Sequence, residues 1–476
     1  MEMVLDLTST LPDTIMMDIF SNLSMKEAAR TSVASRRFHN LWKSYGGCLD
    51  FDDVETRVLL RDDQKRFDVE QRKYVDWVNQ VVVSHQGPMI EQFRVCFDLG
   101  ADESAIIDRW MEFAAARKVH RLELDLSSML ACGKTYKPVK GLDDVYNFPK
   151  SGAGYYFKVL ASLRLNAVDI AEQDVLNLLS DCPLLEDLSI AGAPSLHNLS
   201  ILGGGGGRPL RLKQLEIRRC IRLDHIEVAA ARNLVSFTHQ EKYELGALHS
   251  TNMRFQDVPQ LSSVSLGVGD YLEHCVSYRF KGRPFLILQQ VQTLILNLDL
   301  MVSREPYLFP YRAFDEFAKF PNLRHLELSF RVSGSLFFTV LFLCASPCLH
   351  KLVLRYKIDC GARKRNPQLM WWDEAAIESG HRQVAERSKY GCLKEVELLG
   401  WNGGEGEVEF VKHLNEAGAG SLERITVDPR NPWLDIFFDN PLSPPSEEVI
   451  AAQEAARNRA RDLEPILSPP AKLVVL

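Results

Sequence analysis

The stretch Leu11–Trp42, which reads LPDTIMMDIFSNLSMKEAARTSVASRRFHNLW, carries the signals for three short amphipathic helices in succession. Pro12 stands near the first helical position, where its missing N–H costs nothing, and the apolar residues after it recur at helical spacing. Ser24 and Glu27 form a capping box that predicts a second helix, and Ser35 is expected to cap a third. Helices this short cannot bury all of their apolar side chains among themselves, so we expect some to remain for a partner.

The order of these residues resembles an F-box. The matching residues are Leu11-Pro12-Asp13, Ile15, Ile19-Phe20, Leu23, Ala28-Ala29, Val33, Ser35-Arg36-Arg37-Phe38 and Leu41-Trp42, with Leu49–Asp52 following as in the plant branch of the family. Ser24 and Phe38 depart mildly from the family pattern, in which proline and tryptophan are common. The alternative is a helical cap on the following domain.

The resemblance implies a specific partner for this segment. F-boxes dock onto a small acidic Skp-type adaptor, and through it onto a cullin-RING ubiquitin ligase. The residues that the resemblance assigns to adaptor binding are Leu11, Pro12, Ile15, Ile19, Phe20, Leu23, Val33, Phe38, Leu41 and Trp42.

Behind this segment, a pattern of apolar, two residues, apolar, one residue, apolar returns along the chain. Copies begin at Ile90, Val119, Leu160, Leu185, Leu212, Leu261, Val291, Leu323, Leu349, Leu393 and Leu422, with a degenerate copy at Leu234-Ser236-Phe237. Most are roughly 22–32 residues apart, close to the leucine-rich-repeat period. Each copy predicts a short strand with one inward face, which can be buried only if neighbouring repeats stack. Runs at 174–179 and 314–320 suit helical returns.

These observations predict an α/β fold, in which a three-helix F-box precedes a leucine-rich-repeat solenoid, a horseshoe with parallel strands on its concave face. Within Glu70–His85, five apolar residues share one helical face (Tyr74, Trp77, Val78, Val81 and Val82), which predicts a linker helix that fixes the F-box against the first repeats. Cys392–Pro429 is similar to the FBD-type region that often ends grass-type F-box/leucine-rich-repeat proteins. Ser446–Glu464 has the charge order that a helix prefers.

We therefore divide the chain into segments as follows. The divisions are 1–52 for the F-box domain, 53–89 for the linker helix region, 90–391 for the leucine-rich-repeat domain, 392–430 for the FBD-like terminal repeats and 431–476 for a C-terminal tail with a helix.

Composition narrows the classes of function. The chain has 476 residues, of which 46% are hydrophobic, and this is ordinary for a soluble globular protein. The net charge of −7 argues against general nucleic-acid binding, which needs a basic face. The acidic start lacks the apolar core of a secretory signal, and the longest apolar run, Leu336–Ala345, is too short to cross a bilayer. Ten scattered cysteines fit thiols in a reducing compartment, so we expect a cytoplasmic or nuclear protein without membrane partners.

The sequence gives little evidence for a catalytic, phosphate-binding or metal-binding site. Cys344, Cys348, His350 and Cys360 have no usual zinc-finger spacing, and Gly203–Gly207 lacks the Gly-Lys-Ser/Thr of a phosphate-binding loop. Hydrolase and metalloprotease motifs are absent from the sequence. We predict no catalytic residue, no cofactor and no metal.

Two functions remain in competition. The first is a non-catalytic substrate receptor that binds the Skp-type adaptor through the F-box and an unidentified target protein through the repeats. The second is a leucine-rich-repeat scaffold or small-ligand sensor without ubiquitin transfer. A phosphate-bearing ligand would need converging cations, for which Arg218, Arg219, Arg324 and Lys351 are the candidates.

Overall fold

The computed structural model describes the chain in two compact units. The described residues are 11–21, 23, 25, 27, 36–52, 56, 64–127, 144–149, 157–203, 209–240, 251–268, 289–298, 319–330, 336–356, 389–430 and 447–476. The first unit comprises Met1–Leu234 with Gln256–Pro259, and the second comprises Val235–Phe255 with Gln260–Leu476. Several predicted features lie outside the described residues: Val33, Cys360, most of the second F-box helix, and most of the run at 314–320.

The helices of the first unit include the N-terminal pair and the linker helix. They are α1 (Asp13–Ser21), α2 (Arg36–Lys43), α3 (Gln64–Ser84), α4 (Ser104–Ala116) and α5 (Glu172–Asp181). The linker helix α3 begins six residues before the predicted start and ends one residue before the predicted end. Its additional first turn carries Phe67, whose ring stacks on Phe97 with centroids 5.9 Å apart. The predicted run at 174–179 lies within α5, as expected for a helical return.

Five of the described strands of the first unit lie at predicted copies of the repeat, namely those that begin at Gln92, Arg121, Ser162, Asp187 and Gln214. In chain order they are β1 (Cys48–Asp52), β2 (Gln92–Cys96), β3 (Arg121–Asp125), β4 (Tyr146–Asn147), β5 (Ser162–Asn166), β6 (Val168–Asp169), β7 (Asp187–Ala191), β8 (Asn198–Leu202), β9 (Gln214–Arg218) and β10 (His225–Ala229). β1, β2, β3, β5, β7 and β9 pair in that order as parallel neighbours. Equivalent apolar positions stand side by side in this sheet and are at most 2% exposed: Leu49, Phe93, Leu122, Leu163, Leu188 and Leu215.

A second ladder was not predicted. β8 and β10 pair in parallel, with Leu199 opposite Ile226 and Ile201 opposite Val228. All four side chains are buried, so these strands close a second wall of the core. Their alternation is present in the sequence, but it falls between the copies of the longer repeat.

Several strands of the first unit end in the same backbone conformation. Ala167, Gly192 and Arg219 follow β5, β7 and β9, with φ values of 53°, 65° and 53°. The main-chain N–H of Ala167 donates to Ala191 O at 2.9 Å, and that of Gly192 donates to Arg218 O at 2.9 Å. This left-handed residue turns the chain away from the sheet while keeping the hydrogen-bond ladder intact.

The second unit continues the repeat pattern. Its strands are β11 (Ser236–Gln240), β12 (Asn252–Gln256, whose last residue belongs to the first unit), β13 (Ser263–Val268), β14 (Thr293–Leu298), β15 (His325–Phe330), β16 (Lys351–Tyr356), β17 (Glu395–Leu399), β18 (Arg424–Asp428) and β19 (Lys472–Val475). β11 pairs with β13, and β13 through β19 then pair in order, all parallel. The degenerate copy at Leu234 forms β11, in which Phe237 is completely buried. β19 was not predicted.

Within the described residues, the second unit contains the α-helices α6 (Leu336–Ala345), α7 (Glu405–Ala417) and α8 (Glu447–Arg461). α8 lies within the predicted tail helix, and Arg459 on it donates to Asn402 O at 2.6 Å and 3.0 Å. In the part of the chain that the structure describes, no helix has the length and apolar character needed to span a membrane. The helical N-terminal segment followed by parallel repeat strands confirms the predicted fold class.

Candidate docking surfaces

The helix α1 presents apolar side chains to solvent. Ile15 and Ile19 lie one helical turn apart and are 45% and 40% exposed, and Pro12 before them is also exposed. Met16, between the two isoleucines, is completely buried. Ile15 and Ile19 are therefore left uncovered on α1, while Met16 packs inside the protein.

Arg37 fastens α1 to α2. Its Nη2 lies 2.6 Å from Asp13 Oδ1, and the same nitrogen donates to the main-chain carbonyl of Leu11. Asp13 is at the start of α1, where a carboxylate also interacts favourably with the helix dipole. The sequence matched Arg37 to the F-box pattern without indicating this structural role.

The other predicted adaptor-binding residues differ in exposure. Leu11, Leu23 and Leu41 are half-buried. Trp42 is only 8% exposed and stacks on Tyr45, with ring centroids 6.0 Å apart and an interplanar angle of 13°. In this chain Trp42 therefore packs inside the protein and does not join the exposed face. Val33 and the side chains of Phe20 and Phe38 are outside the described part of the structure.

The end of α2 is joined to the first repeats by main-chain hydrogen bonds. The Lys43 carbonyl accepts from Gln86 N at 2.6 Å and from Gly87 N at 3.1 Å. A Cβ at Gly87 would lie 2.9 Å from the His85 ring and 3.1 Å from Ser44 O. Any residue other than glycine would therefore force these neighbouring groups to move. The chain after α3 is thus held directly against the last residues of the F-box segment.

His85 is buried within this joint, which we define as the contact of Lys43 with Gln86 and Gly87. The side chain is 4% exposed, and its Nε2–H donates to Tyr45 O at 2.8 Å. Burial lowers the pKa of His85; the bond to Tyr45 opposes this effect, and the nearby charge of Arg117 adds to it. Arg117 itself donates to His85 O at 2.9 Å. The histidine is therefore a neutral packing and hydrogen-bonding residue at the joint.

Tyr74 anchors the linker helix to the sheet. Its hydroxyl donates to Phe51 O on β1 at 2.6 Å and accepts from Cys96 N on β2 at 3.0 Å. A second tie joins α3 to α4, because Trp110 Nε1 donates to Asn79 Oδ1 at 2.8 Å. Tyr74, Val78 and Val81 of the predicted apolar face are buried, whereas Trp77 and Val82 are half-buried.

The outward face of β1–β3 is charged. Arg94 lies 3.3 Å from Asp50, 2.9 Å from Asp52 and 3.1 Å from Glu123. Burial disfavours the charged guanidinium, but the carboxylates of Glu123, Asp50 and Asp52 outweigh this effect and raise the pKa of Arg94. The outward face of these strands is an ordered network of charged groups in which three carboxylates surround one arginine.

Two of the four cations considered for a small phosphate-bearing ligand have carboxylate partners. Arg218 contacts Glu216, and Lys351 Nζ lies 2.6 Å from Glu397 Oε1. Arg219 and Arg324 are exposed. The partial neutralisation of Arg218 and Lys351 weakens the case for an anion site on these strands.

Of the residues considered for zinc, Cys344, Cys348 and His350 are described, and these three form no metal-binding group. Cys344 and Cys348 are exposed, and His350 Nδ1 lies 2.7 Å from Cys348 O rather than facing a metal. Among the residues described by the structure, no group of three or more His, Cys, Asp or Glu side chains is placed to hold a metal ion.

Comparison with known families agrees with this architecture. The family model described as At1g61320/AtMIF1, LRR domain, matches residues 81–438, and the F-box domain model matches residues 9–47. The chain belongs to this leucine-rich-repeat family and carries an F-box in front of the repeats. The F-box match includes the exposed Ile15 and Ile19 of α1 and the ion pair between Arg37 and Asp13.

Relatives with the same combination of domains occur in Arabidopsis thaliana. F-box/LRR-repeat protein At3g03360 is 27% identical over 243 residues, which are 47% of this chain and 45% of the relative. F-box/LRR-repeat protein At3g58900 is 36% identical over 122 residues, 25% of this chain and 36% of the relative. FBD-associated F-box protein At1g55030 is 29% identical over 227 residues, 43% and 49% of the two chains. The chain spans less than half the length of each of these relatives.

These matches confirm the resemblance to plant F-box/leucine-rich-repeat proteins with an FBD-like region. At the level the domains establish, the protein combines an F-box with a leucine-rich-repeat domain. Sequence reasoning identified both modules and placed Tyr74 on the apolar face of the linker helix, but it missed the hydrogen bonds of the Tyr74 hydroxyl and the contact of His85 with Tyr45.

Proposed function

We propose that this chain is the substrate-recognition subunit of a Skp–cullin–F-box ubiquitin ligase. The observation that carries the proposal is the exposure of Ile15 and Ile19 one turn apart on α1, a helix within the F-box match. Single exposed apolar residues are common on protein surfaces. A pair one turn apart, within the F-box match, forms the kind of apolar anchor that dominates binding energy at an interface.

The joint supports this role because it limits motion between the two modules. Lys43 O is bonded by both Gln86 N and Gly87 N, while His85 bonds Tyr45 O and Tyr74 bridges β1 and β2. A receptor accelerates ubiquitin transfer by holding the target near the conjugating enzyme at high effective concentration, and a loose joint would dilute that concentration. The receptor itself would form no covalent bond.

The target would be a protein bound by the repeats. The outward positions of β1–β3 are charged and ordered around Arg94, and those of β15–β17 include the pairs Arg355–Glu327 and Lys351–Glu397, each at 2.6 Å. Ordered charged side chains on a strand face suit specific recognition of a protein surface. We propose that the complex acts in the cytosol or nucleus, where ubiquitin ligases of this type have their targets; a fluorescent fusion that enters the secretory pathway would contradict this location.

The docking assignment is tested by capture of a plant Skp-type adaptor. The full-length protein is compared with the double variant Ile15→Asp/Ile19→Asp. Each buried contact residue is worth roughly 1–3 kcal/mol, so each substitution should weaken adaptor binding by roughly 5- to 150-fold. The matched control is Val69→Asp/Val83→Asp, which places the same charges at the exposed valines of α3 (45% and 85% exposed).

The control variant should retain the adaptor as well as the wild type does. Circular dichroism and thermal melting establish that both variants are folded, since all four positions are exposed. Equal adaptor recovery by the wild type and the α1 double variant would overturn the proposal. Affinity capture with the proteasome blocked then separates two groups of proteins: ligase subunits should be lost with the α1 variant, while targets bound by the repeats should be kept.

A further inference from the structure

We infer that Cys348 and Cys392 form a reversible dithiol–disulfide site between two adjacent repeats. The two cysteines occupy the same place in two equivalent turns. Leu349 N donates to Ser346 O at 3.1 Å, and Leu393 N donates to Tyr390 O at 3.0 Å. Each turn therefore closes over four residues, with its cysteine at the third position, immediately before the chain enters β16 or β17.

The register of the sheet places the two turns side by side. β16 and β17 pair in parallel with Lys351 opposite Glu395, and each cysteine lies three residues before its member of that pair. The ladder extends into the turns, because Lys394 N and Glu395 N donate to His350 O at 2.9 Å and 3.0 Å. Neighbouring strands are about 4.8 Å apart, and a disulfide needs a Cα–Cα separation of about 4.4–6.8 Å. The spacing of adjacent repeats thus falls within the range that a disulfide can bridge.

The side chains at this turn position reach towards the preceding repeat. Three residues at the same position in the second unit show it: Gln290 donates to Leu261 O at 3.0 Å, Asn322 to Gln289 O at 2.8 Å, and Ser421 to Tyr390 O at 2.9 Å. Cys392 stands between Asn322 and Ser421 in this series. By analogy with these residues, we expect the Cys392 thiol to face the turn that carries Cys348.

Both thiols are accessible, in contrast to the buried thiols of Cys182 and Cys220. Cys348 is exposed and Cys392 is half-exposed, so an oxidant in solution can reach them. Cys182 and Cys220 are buried, and burial raises the pKa of Cys182 to about 12 and that of Cys220 to about 11. Only the thiolate reacts, so the two buried thiols remain inert.

The chemistry is thiol–disulfide exchange with a small oxidised thiol such as oxidised glutathione. The thiolate of one cysteine attacks a sulfur of the glutathione disulfide, and one reduced glutathione leaves. The second thiolate then attacks the mixed disulfide and releases the other reduced glutathione. Overall the protein thiols lose two electrons and two protons, and the glutathione disulfide is reduced to two thiols. An excess of reduced glutathione reverses both steps.

The experiment uses the full chain in buffers with a defined ratio of reduced to oxidised glutathione. Remaining thiols are trapped by alkylation, and the disulfides are located by peptide mapping. We expect a peptide pair linked through Cys348 and Cys392 under oxidising conditions, its loss on addition of reduced glutathione, and a higher melting temperature in the oxidised form.

Two variants make the result specific. Cys392→Ser should abolish the linked peptide and the rise in melting temperature, and it is expected to fold because Ser421 occupies the same position one repeat later. Cys344→Ser, which changes the nearby exposed cysteine of α6, should leave both effects unchanged. The inference is overturned if oxidation links Cys344 to Cys348, or if Cys348 and Cys392 only become mixed disulfides with glutathione. Adaptor binding does not enter the readout, so the result is independent of the proposed function.

Discussion

Arg37 on α2 and Asp13 at the start of α1 form an ion pair with Nη2 and Oδ1 2.6 Å apart, and Arg37 also donates to the carbonyl of Leu11. This one guanidinium thus holds the start of the helix that presents Ile15 and Ile19. The proposed adaptor surface therefore depends on a residue that does not itself belong to the apolar face.

Substitution of Arg37 by alanine should weaken adaptor binding more than it weakens the fold. The pair is partly exposed, with side chains 33% and 65% exposed, so its contribution to stability is about 0.2–1 kcal/mol. A loosened α1 must be ordered again on binding, which we expect to reduce the affinity by about fivefold, measured by calorimetry. Lys73→Ala is the control, because it removes an exposed pair with Glu70 (2.8 Å) on α3. A similar loss of affinity in both variants would contradict a special role for Arg37.

Replacement of Tyr74 by phenylalanine should destabilise the joint between the linker helix and the sheet. The change removes only the hydroxyl, and it leaves Phe51 O and Cys96 N without this partner in a buried site. An unsatisfied buried polar group costs about 1–3 kcal/mol, so the free energy of unfolding in urea should fall by at least that amount.

Tyr146→Phe is the matched control for this measurement. It removes the hydrogen bond of 2.7 Å that the hydroxyl donates to Asp108 Oδ1, in a part-buried site. We expect the smaller loss of stability in this variant. If the free energy of unfolding falls equally in the two variants, the two hydrogen bonds of the Tyr74 hydroxyl contribute no more to stability than the Tyr146 hydroxyl does.

The parts of the fold that the sequence predicts are those with a visible period. Leu163 and Leu165 show the alternation of a half-buried strand, and the same spacing returns along the chain, so stacking of repeats follows directly. β8 and β10 have similar alternation, and each begins 11 residues after the preceding main strand (Asn198 after Asp187, His225 after Gln214), a spacing that the longer repeat alone does not reveal. Their inclusion in a second ladder depends on which strands become neighbours, and this is a property of the folded chain.

The joint is unpredictable for a different physical reason. Its strongest contacts use main-chain groups, such as Lys43 O accepting from Gln86 N, and main-chain groups leave no residue-type signature. The environment of Trp42 is a similar case. The F-box pattern places a large aromatic there, but its burial depends on the stacking partner Tyr45, which follows the motif.

Replacement of Gly192, the residue that follows β7, should lower the free energy of unfolding. Its φ is +65°, whereas a Cβ would meet only Ala167 main-chain atoms at 3.7 Å and 3.8 Å, which is ordinary contact. Gly192→Ala therefore tests backbone conformation without a steric clash, and we expect a loss of about 1–2 kcal/mol in urea unfolding. Gly391→Ala is the control, because its Cβ meets nothing within 4 Å. Equal stabilities of the two variants would show that the left-handed conformation imposes no cost here.

The joint should open as the pH falls, because His85 is held neutral in the folded protein. Burial lowers its pKa, so the unfolded or opened chain binds a proton more readily than the closed joint does. The stabilising contribution of neutral His85 is complete above the ordinary histidine pKa of about 6.5, and it is lost as the pH falls from there towards the lowered pKa.

Hydrogen exchange of the Gln86 and Gly87 amides, corrected for intrinsic rates, reports directly on this joint because both amides donate to Lys43 O. In the wild type, the protection of these two amides against exchange should decrease at pH values below about 6.5. His85→Gln keeps a side-chain donor for Tyr45 O but cannot titrate in this range, so its protection should stay constant. His413→Gln removes another histidine whose pKa burial lowers, far along the chain in α7, and it should behave like the wild type at these two amides. Protection that falls equally in the wild type and His85→Gln would show that another group controls the joint.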